Sequence, residues 1–260
     1  PLNAARRYLG RLEAALLARP DVLCAAGSEM VARELHEHYG RSDGVHVVFN
    51  GVDVPPADTQ QRAHWRQERR YRLRLGREAP LFLIVARNWE LKGVRETLSA
   101  FARWSHGRGA GREAVLAAVG KDEPQRYRQI AGMLDVGRRF VGEPPPENVW
   151  QWYAAADACV LLSWYDPCSR VVLEALRWGI PSITTACNGA AEALEGGAGV
   201  VVPSPRDRAA TVEAFDRLAD PAQRAAAAER CRHSADAYSV DRHVDGLLEV
   251  YERAARVRHG

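Results

Sequence analysis

The chain has 260 residues, of which 47% are hydrophobic and 27% are charged, and its formal net charge is +3. This composition excludes an intrinsically disordered chain, because disorder requires low hydrophobicity and high net charge. So small a positive excess gives no argument for a nucleic-acid partner. No apolar run reaches the roughly 18 residues of a membrane span, and the first residues lack the apolar block of a secretory signal.

The cysteine and lysine contents are also informative. Five cysteines occur at wide spacings. An odd number without a C-x-x-C pair favours free thiols in a reducing cytoplasm over a disulfide framework or a zinc site. Lysine occurs only at Lys92 and Lys121 in a chain rich in arginine. Because an ammonium and a guanidinium differ in their chemistry, each lysine is a slightly better functional candidate than usual.

Short apolar runs alternate along the chain with longer amphipathic stretches. The apolar runs predict strands at residues 22–26, 45–49, 81–86, 114–119, 139–141, 158–162, 182–184 and 199–202. The stretches between them predict helices at 1–20, 28–39, 60–77, 93–104, 125–134, 149–155 and 170–178, followed by two alanine-rich helices. This alternation is typical of βαβ units, so the predicted fold is α/β, with a doubly wound parallel sheet.

The clearest boundary lies between residues 50 and 58, where Asn50-Gly51 marks a turn and Pro55-Pro56 a connector. Residues 81–202 then form one complete α/β domain. The segment before the boundary is expected to be the end of another domain, because it could bury too little apolar surface to be stable alone.

Ligands of open parallel sheets bind beyond the carboxyl ends of the strands, so the residues that follow each strand are site candidates. Arg87 and Lys92 flank the turn after the strand at 81–86. Two cations beside the N-terminus of the next helix favour a bound anion. Solvated loop charges are the alternative, and spacing alone does not separate the two interpretations.

Asp166 and Glu174 follow the strand at 158–162 in the same way. Glu174 lies among apolar neighbours on the next helix, so it needs a partner, which is either a cation or a pair of ligand hydroxyls. The free N–H groups at the start of this helix predict a second anion position, at Cys168, Ser169 and Arg170.

Three further residues follow other strands. Gly120 permits a ligand to approach the backbone closely, whereas the neighbouring Lys121 is better explained as a surface lysine. Glu192 is better explained as an acid that satisfies a helix dipole than as a functional group. Together these loops predict one crevice for a nucleotide diphosphate that carries a hydroxyl-rich group. No P-loop or dinucleotide-binding glycine motif occurs.

Five stretches carry a family resemblance: NGVD at 50–53, ARNWELKG at 86–93, VGKD at 119–122, YDPCSRVVLEALRWGIPSITT at 165–185 and NGAAE at 188–192. They resemble glycosyltransferase family 4, which has the GT-B fold of two Rossmann-like domains. Within that family they are similar to the branch of lipopolysaccharide core glucosyltransferases, which act in the biosynthesis of the cell envelope.

The resemblance implies roles for these residues. Glu174 would bind the ribose hydroxyls, and Asp166, in a position that usually holds glutamate, would lie close to the donor sugar. Ser169 stands where the family often has glycine. The implied catalytic residues are Asp166, Arg87 and Lys92. The implied donor-binding residues are Arg87, Lys92, Gly120, Val141, Gly142, Cys168, Ser169, Arg170 and Glu174.

The implied activity is transfer of a hexose, with retention, from a nucleoside-diphosphate sugar to a glycan or lipid-linked acceptor. The donor is expected to be UDP-linked, and no metal or other cofactor is implied. Residues 1–55 would be a remnant of the acceptor-side domain, 56–230 the donor domain, and 231–260 closing helices that pack back on the amino-terminal part. A non-catalytic sugar-nucleotide-binding fragment is the main alternative, and an epimerase or phosphorylase of the same fold is another.

Seven arginines crowd one predicted helix, at Arg62, Arg66, Arg69, Arg70, Arg72, Arg74 and Arg77. Interleaved with Glu68 and Glu78, they favour a solvated helix face. The other interpretation is peripheral contact with an anionic membrane on its cytoplasmic side, which would suit a lipid-linked acceptor.

Overall fold

The computed structural model describes residues 4–259, which form two parallel sheets. The strands are β1 (Cys24–Ala26), β2 (Val45–Val47), β3 (Leu81–Val85), β4 (Val115–Val119), β5 (Phe140–Glu143), β6 (Ala158–Leu161), β7 (Ser182–Thr185) and β8 (Gly199–Val202). β1 and β2 pair with each other. The other strands form one sheet in the order β5-β4-β3-β6-β7-β8. The chain therefore changes its direction of strand addition between β3 and β6, which is where open α/β sheets form a ligand crevice.

The α-helices of the described residues are α1 (Ala4–Leu17), α2 (Glu29–Tyr39), α3 (Thr59–Arg72), α4 (Val94–His106), α5 (Pro124–Met133), α6 (Trp150–Ala155), α7 (Arg170–Trp178), α8 (Arg208–Ala219), α9 (Pro221–Ser234) and α10 (Val240–His259). Those from α3 to α9 cover both faces of the larger sheet, which confirms the predicted doubly wound α/β class. None of these helices is both long enough and apolar enough to cross a membrane.

The closing region differs from the prediction, because it contains three helices instead of two. Asp220 ends α8 and accepts a hydrogen bond from the Gln223 N–H, which makes it the N-cap of α9. Pro221 follows at the first position of α9, where a missing N–H costs nothing. Because alanine is frequent on both sides of Asp220, the sequence pattern did not show that one helix ends and another begins there.

The core lies on both faces of the six-stranded sheet. Phe82 and Ile84 of β3 pack in a cluster formed with α4 and α8, and the Phe82 ring lies edge-on to Phe215 at 4.8 Å. The alternate residues Leu81 and Leu83 pack in a second cluster, with α6 and the half-buried Trp65 of α3. Since both faces are covered, the strands are continuous apolar runs, which is the pattern that made them predictable.

The arginines of α3 point mainly toward the protein. Arg66 donates to the carbonyl of Ala155 at 2.9 Å and to Asp157 at 2.6 Å. Arg70, which is 6% exposed, donates to Asp157 at 3.0 Å. Arg62 stacks on the ring of Trp178, and Arg69 lies over Trp152.

The interpretation of a solvated face is therefore wrong for Arg62, Arg66, Arg69 and Arg70. Arg66 donates to three successive carbonyls at the end of α6, which lack partners within their own helix. A guanidinium can serve several acceptors at once, and this is why arginine suits the position. Arg72, Arg74 and Arg77 are exposed.

Candidate functional site

The loops that follow β3 and β6 are joined by an ion pair. Lys92 Nζ lies 2.6 Å from Asp166 Oδ2, and the two side chains are 20% and 13% exposed. The structure thus brings together two of the predicted site residues at the point where the strand order changes. A pair so far removed from water is held by its mutual attraction, and either charge left alone there would be costly.

Close backbone packing holds these two loops against each other. Gly93 has a φ of +66°, and a Cβ on it would lie 2.1 Å from the carbonyl oxygen of Leu162. Only glycine permits this conformation and this approach together. The Trp164 N–H also donates to the Leu91 carbonyl at 3.0 Å. Lys92 therefore projects from a loop whose backbone is well determined.

Gly120 has a different environment from the predicted one. A Cβ on Gly120 would lie 1.7 Å from the carbonyl oxygen of Ala86, so backbone of the loop after β3 fills that space. The nearby Asp122 accepts a hydrogen bond from the Trp89 N–H at 2.5 Å. The loop after β4 therefore supports the loop that carries Lys92, which is a sufficient reason for glycine at this position.

Arg87 lies exposed at the start of the loop that carries Lys92. Its guanidinium forms no hydrogen bond or ion pair within the part of the chain that the structure describes. Because Arg87 carries an unneutralised charge, it contributes positive potential to this edge of the sheet.

The amino end of α7 is tied to the loop after β7 by Asn188. Its Oδ1 accepts from the Ser169 N–H at 3.2 Å, and its Nδ2 donates to Thr184 Oγ1 at 3.0 Å. The Ser169 N–H is thus not free, contrary to the prediction, because the buried Asn188 amide must satisfy its own oxygen. The Asp166 carbonyl accepts from the Gly189 N–H at 2.9 Å, which holds the Asp166 segment in place.

Glu174 is half-buried on α7, and its partner is a protein hydroxyl. The Tyr153 hydroxyl donates to Glu174 Oε2 at 2.9 Å. Burial raises the pKa of Glu174, while the Tyr153 hydrogen bond and the Arg170 charge lower it. Among the residues described, no hydrogen bond joins Glu174 to Lys92 or Asp166, so the structure does not bring all the predicted side chains into direct contact.

Glu192 satisfies a helix dipole, as predicted, but not that of its own segment. Its carboxylate oxygens accept from the N–H groups of Glu29 at 2.9 Å and Met30 at 2.7 Å, at the amino end of α2. Ser28, the N-cap of α2, also donates its hydroxyl to the Pro167 carbonyl at 2.7 Å. The segment before residue 50 therefore contacts the loop that carries Asp166.

Two more hydrogen bonds join the same parts of the molecule. Asn50, the first residue of the NGVD motif, donates from Nδ2 to the Cys168 carbonyl at 2.8 Å. The Tyr165 hydroxyl donates to Glu34 Oε2 at 2.6 Å. Cys168 is itself buried, and this burial raises the pKa of its thiol to about 11. The loop at 164–170 is thus held from both sides.

Val141 and Gly142 lie in β5, at the edge of the sheet. Val141 is half-buried, whereas Gly142 is buried and its carbonyl accepts from Arg128 Nη2 at 2.6 Å. The backbone carbonyl of Gly142 is thus already engaged by a side chain.

Sequence reasoning missed Tyr153 as the partner of Glu174. It is one of several apolar-looking residues in a six-residue helix, and nothing local marks its hydroxyl. It also missed the partner of Asn50, although the motif that contains Asn50 was recognised. Within the described segment, no group of three or more His, Cys, Asp or Glu side chains could hold a metal ion.

A family model described as "Glycosyl transferases group 1" matches residues 79–220, which is more than half of the chain. The chain belongs to this family. The group 1 glycosyltransferase match begins just before β3 and ends just after α8, so it covers the whole six-stranded sheet and both of the loops that the Lys92–Asp166 pair connects.

Curated relatives of this family member match over most of its length. A D-inositol 3-phosphate glycosyltransferase of Thermomonospora curvata is 34% identical, over 95% of this chain and 60% of that protein. The D-inositol 3-phosphate glycosyltransferase 1 of Catenulispora acidiphila is 30% identical, over 93% of this chain and 59% of that protein. The chain thus spans about three fifths of the length of these relatives.

Solved structures show the same fold. WaaG, a glycosyltransferase involved in lipopolysaccharide biosynthesis, matches 99% of this chain and 69% of its own, with a TM-score of 0.78 and 22% identity. Anabaena HepE in complex with UDP matches 89% of this chain and 64% of its own, with a TM-score of 0.72 and 19% identity. The predicted GT-B type is thereby confirmed. At these identities the likeness concerns the fold alone, so the lipopolysaccharide branch stays a prediction.

Proposed function

We propose that the crevice between β3 and β6 binds a nucleoside-diphosphate sugar, from which a hexose is transferred with retention to an acceptor hydroxyl. The observation that carries the proposal is the largely buried Lys92–Asp166 pair at the strand-order change. An ammonium held there by a single carboxylate can exchange that partner for a phosphate. Exchange would release Asp166 to face the donor sugar.

The proposed chemistry is stabilisation of the leaving diphosphate. Lys92 and the exposed Arg87 supply positive charge at one edge of the sheet before the reaction begins. Charges that are already oriented stabilise a developing negative charge without reorganisation, which is the largest single contribution in many enzymes. Arg170 and the Cys168 backbone at the start of α7 would add to this field.

Glu174 is proposed to accept hydrogen bonds from the ribose hydroxyls. Its support is a carboxylate whose burial raises its pKa and which has no cation bonded directly to it in the described chain. Such a group is under-satisfied by the protein and is suited to a polar ligand. Val141 and Gly142 of β5 are proposed to lie beside the base.

The donor is proposed to be UDP-linked, and the structural neighbour HepE, solved with UDP, supports this choice. For the acceptor, the fold neighbour WaaG fits a glycan or lipid-linked molecule, whereas the sequence relatives carry the name of a phosphorylated inositol. We favour a hydroxyl of a saccharide or polyol, and competition between these acceptors in a transfer assay would distinguish them.

Residues up to 55 are proposed to belong to an acceptor-side domain, with 56–230 as the donor domain. Two observations support this division: the two-stranded sheet, which is too small to be stable alone, and the larger size of the relatives. The closing segment fits the same division, because His243 of α10 donates to the Phe49 carbonyl at 2.6 Å. A donor-binding chain without transfer activity is the second candidate.

We propose peripheral contact with an anionic membrane, on the cytoplasmic side, through fewer arginines than the sequence suggested. Four of the seven arginines that suggested it are engaged with the protein, which leaves Arg72, Arg74 and Arg77 exposed. Binding to anionic vesicles that persists when these three become glutamine would remove their role in such a contact.

Calorimetric titration with UDP tests the donor site. We expect saturable binding by the full chain and a loss of about tenfold or more in Glu174→Ala, since a hydrogen bond to a charged group contributes about 1.5–3 kcal/mol. Glu213→Ala, which removes an exposed acid from α8, is the control. No binding at millimolar UDP would reject the site, and binding without turnover of a UDP-sugar would favour the second candidate.

A further inference from the structure

We propose that Tyr153 is a positioning residue, which holds the Glu174 carboxylate toward the ribose hydroxyls of the donor and so sets the preference for a ribonucleotide. This inference rests on the donor site proposed above, because Tyr153 acts through Glu174.

Tyr153 and Glu174 form a direct hydrogen bond, in which the tyrosine hydroxyl donates. Tyr153 is fully buried, and its hydroxyl lies 2.9 Å from Glu174 Oε2. Oε1 of the same carboxylate accepts no hydrogen bond from any residue that the structure describes. An ionised carboxylate can accept at both oxygens, so one oxygen is fixed by the protein and the other is left for a ligand hydroxyl.

Tyr153 is well fixed, although α6 has only six residues and a helix of that length has little stability of its own. The ring of Trp150 lies 5.1 Å from Tyr153 and is stacked at 5.1 Å on Trp178 of α7. At its carboxyl end, α6 is held by Arg66, which donates to three successive carbonyls. The arginine-rich helix α3 thus secures the element that carries Tyr153.

Tyr153 keeps its hydroxyl proton near neutral pH and therefore donates to Glu174. The ionisable groups that face Glu174 are Tyr153, Cys159 and Arg170. Burial raises the pKa of the Tyr153 hydroxyl well above its ordinary value, and it raises that of the Cys159 thiol as well. Both groups stay neutral near neutral pH, so Tyr153 donates its proton to the hydrogen bond throughout that range.

The test compares two probes, UDP and 2′,3′-dideoxyuridine diphosphate, which lacks both ribose hydroxyls. The wild-type chain should bind UDP more tightly. Tyr153→Phe removes one oxygen and keeps the ring, and it should reduce this preference by about tenfold, the value of one charge-assisted hydrogen bond. Affinity for the dideoxy probe should be unchanged. Tyr127→Phe is the matched control, because Tyr127 is 2% exposed and packs in the other core cluster.

The outcomes separate the inference from the proposed function. Equal weakening of both probes in Tyr153→Phe would indicate a merely structural role and overturn the inference, as would an unchanged preference. If the wild-type chain binds neither probe, the donor site itself is rejected and the inference with it. In a Glu174→Gln background, Tyr153→Phe should change the preference much less, and an undiminished effect there would contradict action through Glu174.

Discussion

Asp157 precedes strand β6 and Asp166 lies in the loop that follows it, and these two acidic residues differ in the number of their partners. Asp157, before the strand, accepts from Arg66 at 2.6 Å and from Arg70 at 3.0 Å. Asp166, after the strand, is paired with Lys92 and with no other cation among the residues that the structure describes. In that part of the chain, one edge of the sheet thus has an excess of donors around its acid, whereas the acid at the other edge has a single cation.

We interpret this difference as one between a charge cluster that stabilises the fold and a candidate site for a ligand. Asp157 also accepts from the Leu81 N–H at 2.8 Å, and Arg224 lies 4.0 Å away, so its oxygens are fully used. At the opposite edge Glu174 has one hydroxyl, and Arg87 is exposed. Saturated charges stabilise a fold, whereas ionisable groups with few partners in a crevice are available to a ligand.

We expect the largest effect from removal of Asp157, whose oxygens are fully used by the protein. Asp157→Ala leaves Arg70, which is almost fully buried, with an unpaired charge. Loss of one partner of a buried ion pair costs about 3–5 kcal/mol, and we expect a decrease of that order in the free energy of unfolding in urea. UDP affinity of the fraction that remains folded should be unchanged.

A surface pair gives the control for that experiment. Glu229 is paired with Arg232, and both side chains are more than half exposed. Glu229→Ala should barely change the unfolding curve, because exposed ion pairs contribute little. Equal effects of the two substitutions would show that the cluster around Asp157 has no special structural role.

The second prediction concerns the pair at the other edge, which should respond in opposite directions. Lys92→Ala should weaken UDP binding by roughly 10- to 100-fold, because it removes a charge-assisted contact of about 1.5–3 kcal/mol. Asp166→Asn should leave UDP binding intact or strengthen it, because the ammonium no longer has a competing carboxylate. Titration of both variants decides the matter, and a parallel loss in both would contradict partner exchange.

The smallest effect concerns the pH dependence of stability. Burial raises the pKa of Glu174 in the folded chain above its ordinary value of 4.5, so its contribution to stability is present below that value and is lost as pH rises through the folded pKa. Glu174→Gln should therefore raise the unfolding midpoint near neutral pH, and the gain should shrink toward about pH 4.5. A gain that is the same at both pH values would argue against ionisation as its cause.

Part of the geometry of the candidate site was predictable, because it follows local rules. Lys92 and Asp166 each lie in the loop that follows an apolar strand, and parallel topology brings the carboxyl ends of such strands to one edge. Ser28 caps α2 by a local rule too, because serine at this position accepts a hydrogen bond from the N–H three residues later. The α/β class followed from strand alternation, and the resemblance of five motifs to glycosyltransferase family 4 implied the GT-B fold.

What the sequence could not supply were partners far apart in the chain. The sequence predicted the apolar strands and the loop charges, because these depend on neighbouring residues and on periodicity. Only the tertiary structure showed that Glu174 meets Tyr153, that Glu192 receives the amino end of α2, and that four arginines of α3 turn inward. The physical reason is that a polar side chain satisfies itself with any suitable group that packing brings within about 3 Å, and packing is decided by the whole chain at once.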